Sequence, residues 1–126
     1  MALVTNSREL APAVERELAR QVRSLPRRAI LRTSLSLAEG FLTRSLGESV
    51  EVVNRLAPEH LSIVTRDPWK DFSGIRNAGT AFLGPFSPVA VGDYIAGINH
   101  TLPTGGASRF SSPLGDRKST RLNSSH

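Results

Sequence analysis

Short apolar runs alternate with stretches of helical period along most of this chain, and that alternation narrows the folds open to it. Ala2-Leu-Val-Thr5, Gly40-Phe-Leu-Thr43, Leu61-Ser-Ile-Val-Thr65 and Gly79-Thr-Ala-Phe-Leu-Gly84 are brief and apolar, as strands are. The third ends near Asp67-Pro68, and the fourth lies between glycines with Pro85 and Pro88 beyond it. Between the first two, Leu10, Val14, Leu18, Val22 and Leu25 recur close to helical period and stop at Pro26, with Asn6 or Ser7 available as N-cap. Pro26 to Glu39 holds a second helical stretch, weakened by Thr33, Ser34 and Ser36. Ser45-Leu-Gly-Glu48 has the capping-box spacing. It opens a helix that turns Val50, Val53 and Leu56 inward and ends before Pro58. Helices alternating with strands in this way predict an α/β fold with a sheet that is at least partly parallel. Trp69 and Phe72 are expected to anchor a loop or short helix onto that sheet.

A chain of 126 residues can bury one core but is too short for two ordinary domains. No apolar run approaches the roughly 20 residues of a membrane helix, so no membrane association is expected. The N-terminus lacks the order of a secretory signal, and cytoplasm is the default location. Cysteine is absent, which excludes disulfides and thiolate metal sites. Of the formal charge of +5, Arg117, Lys118 and Arg121 against Asp116 place +2 in the final stretch. That leaves +3 for the rest, which is modest for a nucleic-acid binder. Arg16, Arg20, Arg23 and Arg27 recur at helical spacing. They read either as a solvated face, with Glu17 and Arg20 close enough to pair, or as a nucleic-acid stripe. No aromatics are interleaved with them, which favours the solvated face. A small basic α/β nucleic-acid-binding module is the competing function class, but no nucleic-acid partner is expected.

Two polar constellations stand out. Gly92 to Phe110 is punctuated by Gly97, Gly105 and Gly106 and interrupted by Pro103, so it reads as an irregular loop presenting Asp93 and His100. Both are chemically competent to bind zinc, yet Asp-x6-His is no recognised zinc spacing. Asp93 can equally cap the turn after Gly92, and spacing alone favours the cap. The second pair, Glu59-His60, sits within Leu56-Ala-Pro-Glu-His-Leu61. Adjacent residues diverge in a strand or a helix, so the two serve one site only where the backbone is irregular. Pro58 biases Ala57 away from helix at this point. A carboxylate and an imidazole there are candidates for general acid-base work; a solvated Glu beside a surface His is the plainer reading.

Read together, Asn54-Arg-Leu-Ala-Pro-Glu-His-Leu61, Asn77-Ala-Gly79, Phe82-Leu-Gly84 and Gly92-Asp-Tyr-x-Ala-Gly-x-Asn-His100 resemble the histidinol dehydrogenase family. Leu102-Pro-Thr104 and Arg109-Phe-Ser111 continue the match. The resemblance implies an incomplete Rossmann-like α/β domain from an NAD- and zinc-dependent oxidoreductase. That enzyme oxidises L-histidinol to L-histidine through the aldehyde, in histidine biosynthesis. It implies that Glu59 and His60 are the paired acid-base residues, that Asp93 is one zinc ligand, and that His60, Asp93 and His100 contact the substrate. Val89, Ile98 and Thr101 stand where the family pattern has Glu, Pro and Val.

By the same resemblance, the zinc site also uses a Gln and a His upstream of this chain. Another His lies near the family's C-terminus and, with a neighbouring Glu, reaches the site from the partner subunit of a homodimer. The NAD-binding region is upstream as well, so no cofactor-binding residue is assigned here. The expectation is therefore a fragment that is inactive alone. Residues 1–115 would form the partial domain, and 116–126 a disordered, foreign tail.

Overall fold

Ala2–Thr5 forms strand β1 and Glu39–Leu42 forms β2, and the two pair in parallel with Ala2 opposite Glu39 and Thr5 opposite Leu42. Parallel neighbours need a long crossover. Two helices provide it, α1 (Leu10–Ser24) and α2 (Arg28–Ser36). The computed structural model describes residues 1–94 and 101–111, with the Asp93 side chain left out. The expected tail at 116–126 lies outside the described residues.

Local chemistry accounts for the helix boundaries. The Ser7 hydroxyl accepts from Leu10 N at 3.2 Å, one turn before the helix settles, and Leu25 ends α1 in extended geometry ahead of Pro26. Arg20 donates to both Glu17 oxygens, at 2.8 and 2.6 Å, and Gln21 adds a third bond at 2.8 Å. These bonds pull the Glu17 carboxyl down to about 2. The arginine spacing does not continue through the second helix as one stripe. Arg27 sits between the helices with φ +61°, because the chain must turn sharply after Pro26.

Helix α3 spans Leu46–Leu56 and opens on the expected cap, with Glu48 N donating to Ser45 Oγ at 3.2 Å. The return bond differs from the capping box. Glu48 Oε2 accepts from Arg44 N at 2.7 Å, and the Arg44 guanidinium closes on the same carboxylate. The cap is thus reinforced by a residue outside it, and Glu48 is held below its ordinary range by Arg44.

The chain divides into two compact units, Met1–Val52 and Val53–His126. The second repeats the strand-helix-strand plan. Its strands β3 (His60–Ile63) and β4 (Thr80–Leu83) are parallel, with His60 opposite Thr80 and Ser62 opposite Phe82. Helix α4 (Pro68–Phe72) links them. Asp67 caps it by accepting from Lys70 N at 3.2 Å, and Pro68 sits in the first turn where its missing N–H costs nothing.

Ile63 and Phe82 are the buried side chains of this sheet. Trp69 is not the core anchor that its size predicts. It is 73% exposed, and with Phe72, Phe86 and Val91 it lines an open apolar groove beside β4. The two aromatics are three residues apart and share one helix face, yet that face is left largely uncovered among the described residues. Gly92 to Tyr94, expected as loop, belong instead to helix α5 (Val89–Tyr94), whose first turn closes from Val91 N to Pro88 O. Further on, Ala107–Arg109 makes a single 3-10 turn.

Candidate acid-base site

The site is built on the step from α3 into β3. Ala57 N still donates to Val53 O at 2.9 Å, completing the helix, but its own φ is +48°. Alanine in this left-handed region is disfavoured by its Cβ. Here the residue is only 1% exposed, held by what surrounds it. Pro58 follows, and the strand begins two residues later at His60. Glu59 lies in a bend between this reversal of backbone hand and the strand, outside regular structure.

Glu59 and His60 do meet. Glu59 Oε1 lies 3.8 Å from His60 Nδ1, with the imidazole side chain 33% and the carboxylate side chain 39% exposed. The separation is too long for a direct hydrogen bond and short enough for an ion pair once the imidazole is protonated. The pair is half-buried, so a small molecule can reach it. Phe82 fixes the other side of the imidazole: its ring stacks on His60 with centroids 6.3 Å apart and planes 18° from parallel.

Three sets of backbone contacts fix where this pair points. Gly79 N donates to Pro58 O and Thr80 N to Glu59 O, both at 2.9 Å. The chain runs so close here that a Cβ on Gly79 would lie 2.5 Å from Glu59 O. Asn54, 4% exposed near the end of α3, is the second set. Its Nδ2 donates to Gly74 O at 3.0 Å, and its Oδ1 accepts from Arg76 N at 2.7 Å and Asn77 N at 3.2 Å. Asn77 Nδ2 returns a bond to Asn54 O at 3.0 Å. The third set comes from the 3-10 turn: Ser108 Oγ donates to Ala57 O at 3.1 Å, and the Arg109 guanidinium to Arg55 O. Carbonyls at a helix C-terminus lack intrahelical donors, and these two side chains satisfy a pair of them.

Of the residues singled out by sequence, Glu59 and His60 are brought together. Asp93 lies in α5, and His100 falls outside the described residues. Among the described residues, no group of three or more His, Asp or Glu is placed to hold a metal ion. A tetrahedral zinc site with an open position takes three protein ligands, and the described residues do not make one. No described helix is long and apolar enough to cross a membrane. Asn54, Gly79, Ser108 and Arg109 carry no acid-base chemistry, and composition or spacing did not single them out. The readable signal was Asn54, a lone amide on the apolar stripe of Val50 and Val53.

Two parallel strand pairs with helical crossovers, and a carboxylate-imidazole pair at the entry to one strand, define an α/β protein with a candidate acid-base site. The comparisons with known proteins make this specific. The family profile described as histidinol dehydrogenase matches residues 1–124, and the chain belongs to that family. It is 50% identical over 113 residues to the histidinol dehydrogenases of Heliobacterium mobile and Geobacillus kaustophilus. Each alignment covers 89% of this chain and 26% or 27% of the relative. The crystal structure of histidinol dehydrogenase from Elizabethkingia anophelis superposes with a TM-score of 0.85 at 32% identity, covering 90% of this chain and 26% of that one. The chain thus spans about a quarter of the length of the relatives it matches.

Proposed function

We propose that this chain carries the acid-base pair of an enzyme that oxidises L-histidinol to L-histidine through the aldehyde, with NAD taking the hydride in each step. The observation that supports this reading most is the 3.8 Å approach of Glu59 and His60 on a turn that regular structure does not allow. His60 accepts the hydroxyl proton as hydride leaves the alcohol carbon. Glu59 then takes a proton from water as that water adds to the aldehyde, leaving the hydrate as its anion, from which departure of the second hydride gives the acid. Both groups are accessible and lie at neighbouring positions, as sequential proton transfers at one carbon require.

The same reading takes zinc and NAD as cofactors: Asp93 would be one zinc ligand, the other ligands would come from outside this chain, and NAD would bind outside it as well. Asp93 and His100 would join His60 in contacting the substrate. The working enzyme would be a homodimer in the cytoplasm. The 126-residue chain alone is expected to give no histidinol-dependent NADH formation with zinc added; appreciable turnover would overturn the fragment reading.

The division of roles is tested in a histidinol dehydrogenase of full family length carrying this segment. Stopped-flow NADH formation is started separately from histidinol and from histidinal. Glu59→Gln should spare the alcohol step and slow aldehyde oxidation by about 10²–10⁴. His60→Asn should slow the alcohol step. Equal losses on both substrates for Glu59→Gln would reject the water-activating role.

A further inference from the structure

The Glu59–His60 pair stands at the junction between helix and strand, so its geometry depends on whatever grips that junction. Two grips reach it through side chains. Asn54 uses its amide nitrogen, amide oxygen and carbonyl to tie the end of α3 to residues 74–77, which lead into Gly79 and its contacts with Pro58 and Glu59. Ser108, 51 residues along the chain from Ala57, donates to the carbonyl of the one residue there with a left-handed backbone. Rotating the Ala57–Pro58 peptide would break that bond and swing Glu59, two residues on. We propose that Asn54 and Ser108 are positioning residues for the Glu59–His60 pair, an inference that rests on the acid-base reading above.

Neither side chain is within hydrogen-bonding reach of the carboxylate or imidazole, so both act through the backbone. Displacing a reacting group by about 1 Å can cost on the order of 10²-fold in rate. Loss of one grip should therefore lower kcat.

The test again uses a full-length family enzyme carrying this segment. Ser108→Ala should lower kcat for histidinal oxidation about tenfold or more. Ser108→Thr, which keeps the hydroxyl, should restore it. Because the effect runs through Glu59, Ser108→Ala should cost little further in a Glu59→Gln background. Asn54→Ala should behave alike; if it fails to fold, Asn77→Ala removes a single bond to the Asn54 carbonyl and replaces it in the cycle. An unchanged kcat, no recovery with threonine, or an equal loss in the Glu59→Gln background would each overturn the inference. If Glu59→Gln itself leaves both steps intact, the acid-base reading fails and the inference falls with it. If Glu59→Gln is impaired and Ser108→Ala is not, the inference alone is overturned.

Discussion

At the residue scale, this site is a matter of backbone hand and missing atoms. Ala57 takes a left-handed conformation that sequence does not announce, because Pro58 only turns its predecessor away from the right-handed helix and leaves the alternatives to packing. Spacing could nominate Glu59 and His60 but could not bring them together. Asn54 was not singled out by spacing, although it is an amide among valines, and its partners at residues 74–77 lie in a segment with no periodicity to read. Gly79 is the sharper case. Any side chain there meets the Glu59 carbonyl at 2.5 Å, a backbone atom that cannot swing aside. Gly79→Ala is expected to destabilise the chain by about 1–3 kcal/mol, as forced overpacking does. Urea unfolding checks it, and an unchanged midpoint would mean that the two backbones separate freely.

At the element scale, the sequence was most legible where period and caps agree. All four strands were expected within a residue or two of where they form, and α3 opens on Ser45 and stops before Pro58. Burial was less legible, because it depends on what lies opposite. Trp69 and Phe72 carry the composition of a core, but among the described residues nothing covers Trp69, which is 73% exposed. Replacing Ser45 by alanine should cost about 1 kcal/mol, the usual worth of an N-cap, read from the unfolding midpoint. On α1, the Glu17 carboxylate should titrate by NMR near 2, and Arg20→Ala should return it toward its ordinary value of 4.5. Its folded pKa is depressed, so whatever it adds to stability is present above the ordinary value and lost as pH falls toward 2. The group is exposed at the surface, and strong salt should weaken the shift.

At the scale of the whole molecule, what is notable is how little is covered. Among the described residues no large side chain is fully buried, while Phe86 is 94% and Phe110 84% exposed. The chain alone should bind a hydrophobic dye such as ANS in its folded state and associate as its concentration rises. A dye-silent, monodisperse monomer at about 100 µM would contradict this. The two sheets carry a related consequence. Each described sheet has only two strands, so among the described residues every strand has a strand neighbour on one flank and none on the other. An uncovered flank is a template, ready to accept any extended segment of matching polarity, from its own polypeptide or from a stranger's. Until those flanks are covered, a chain built on this plan is open to edge-to-edge pairing with another copy of itself.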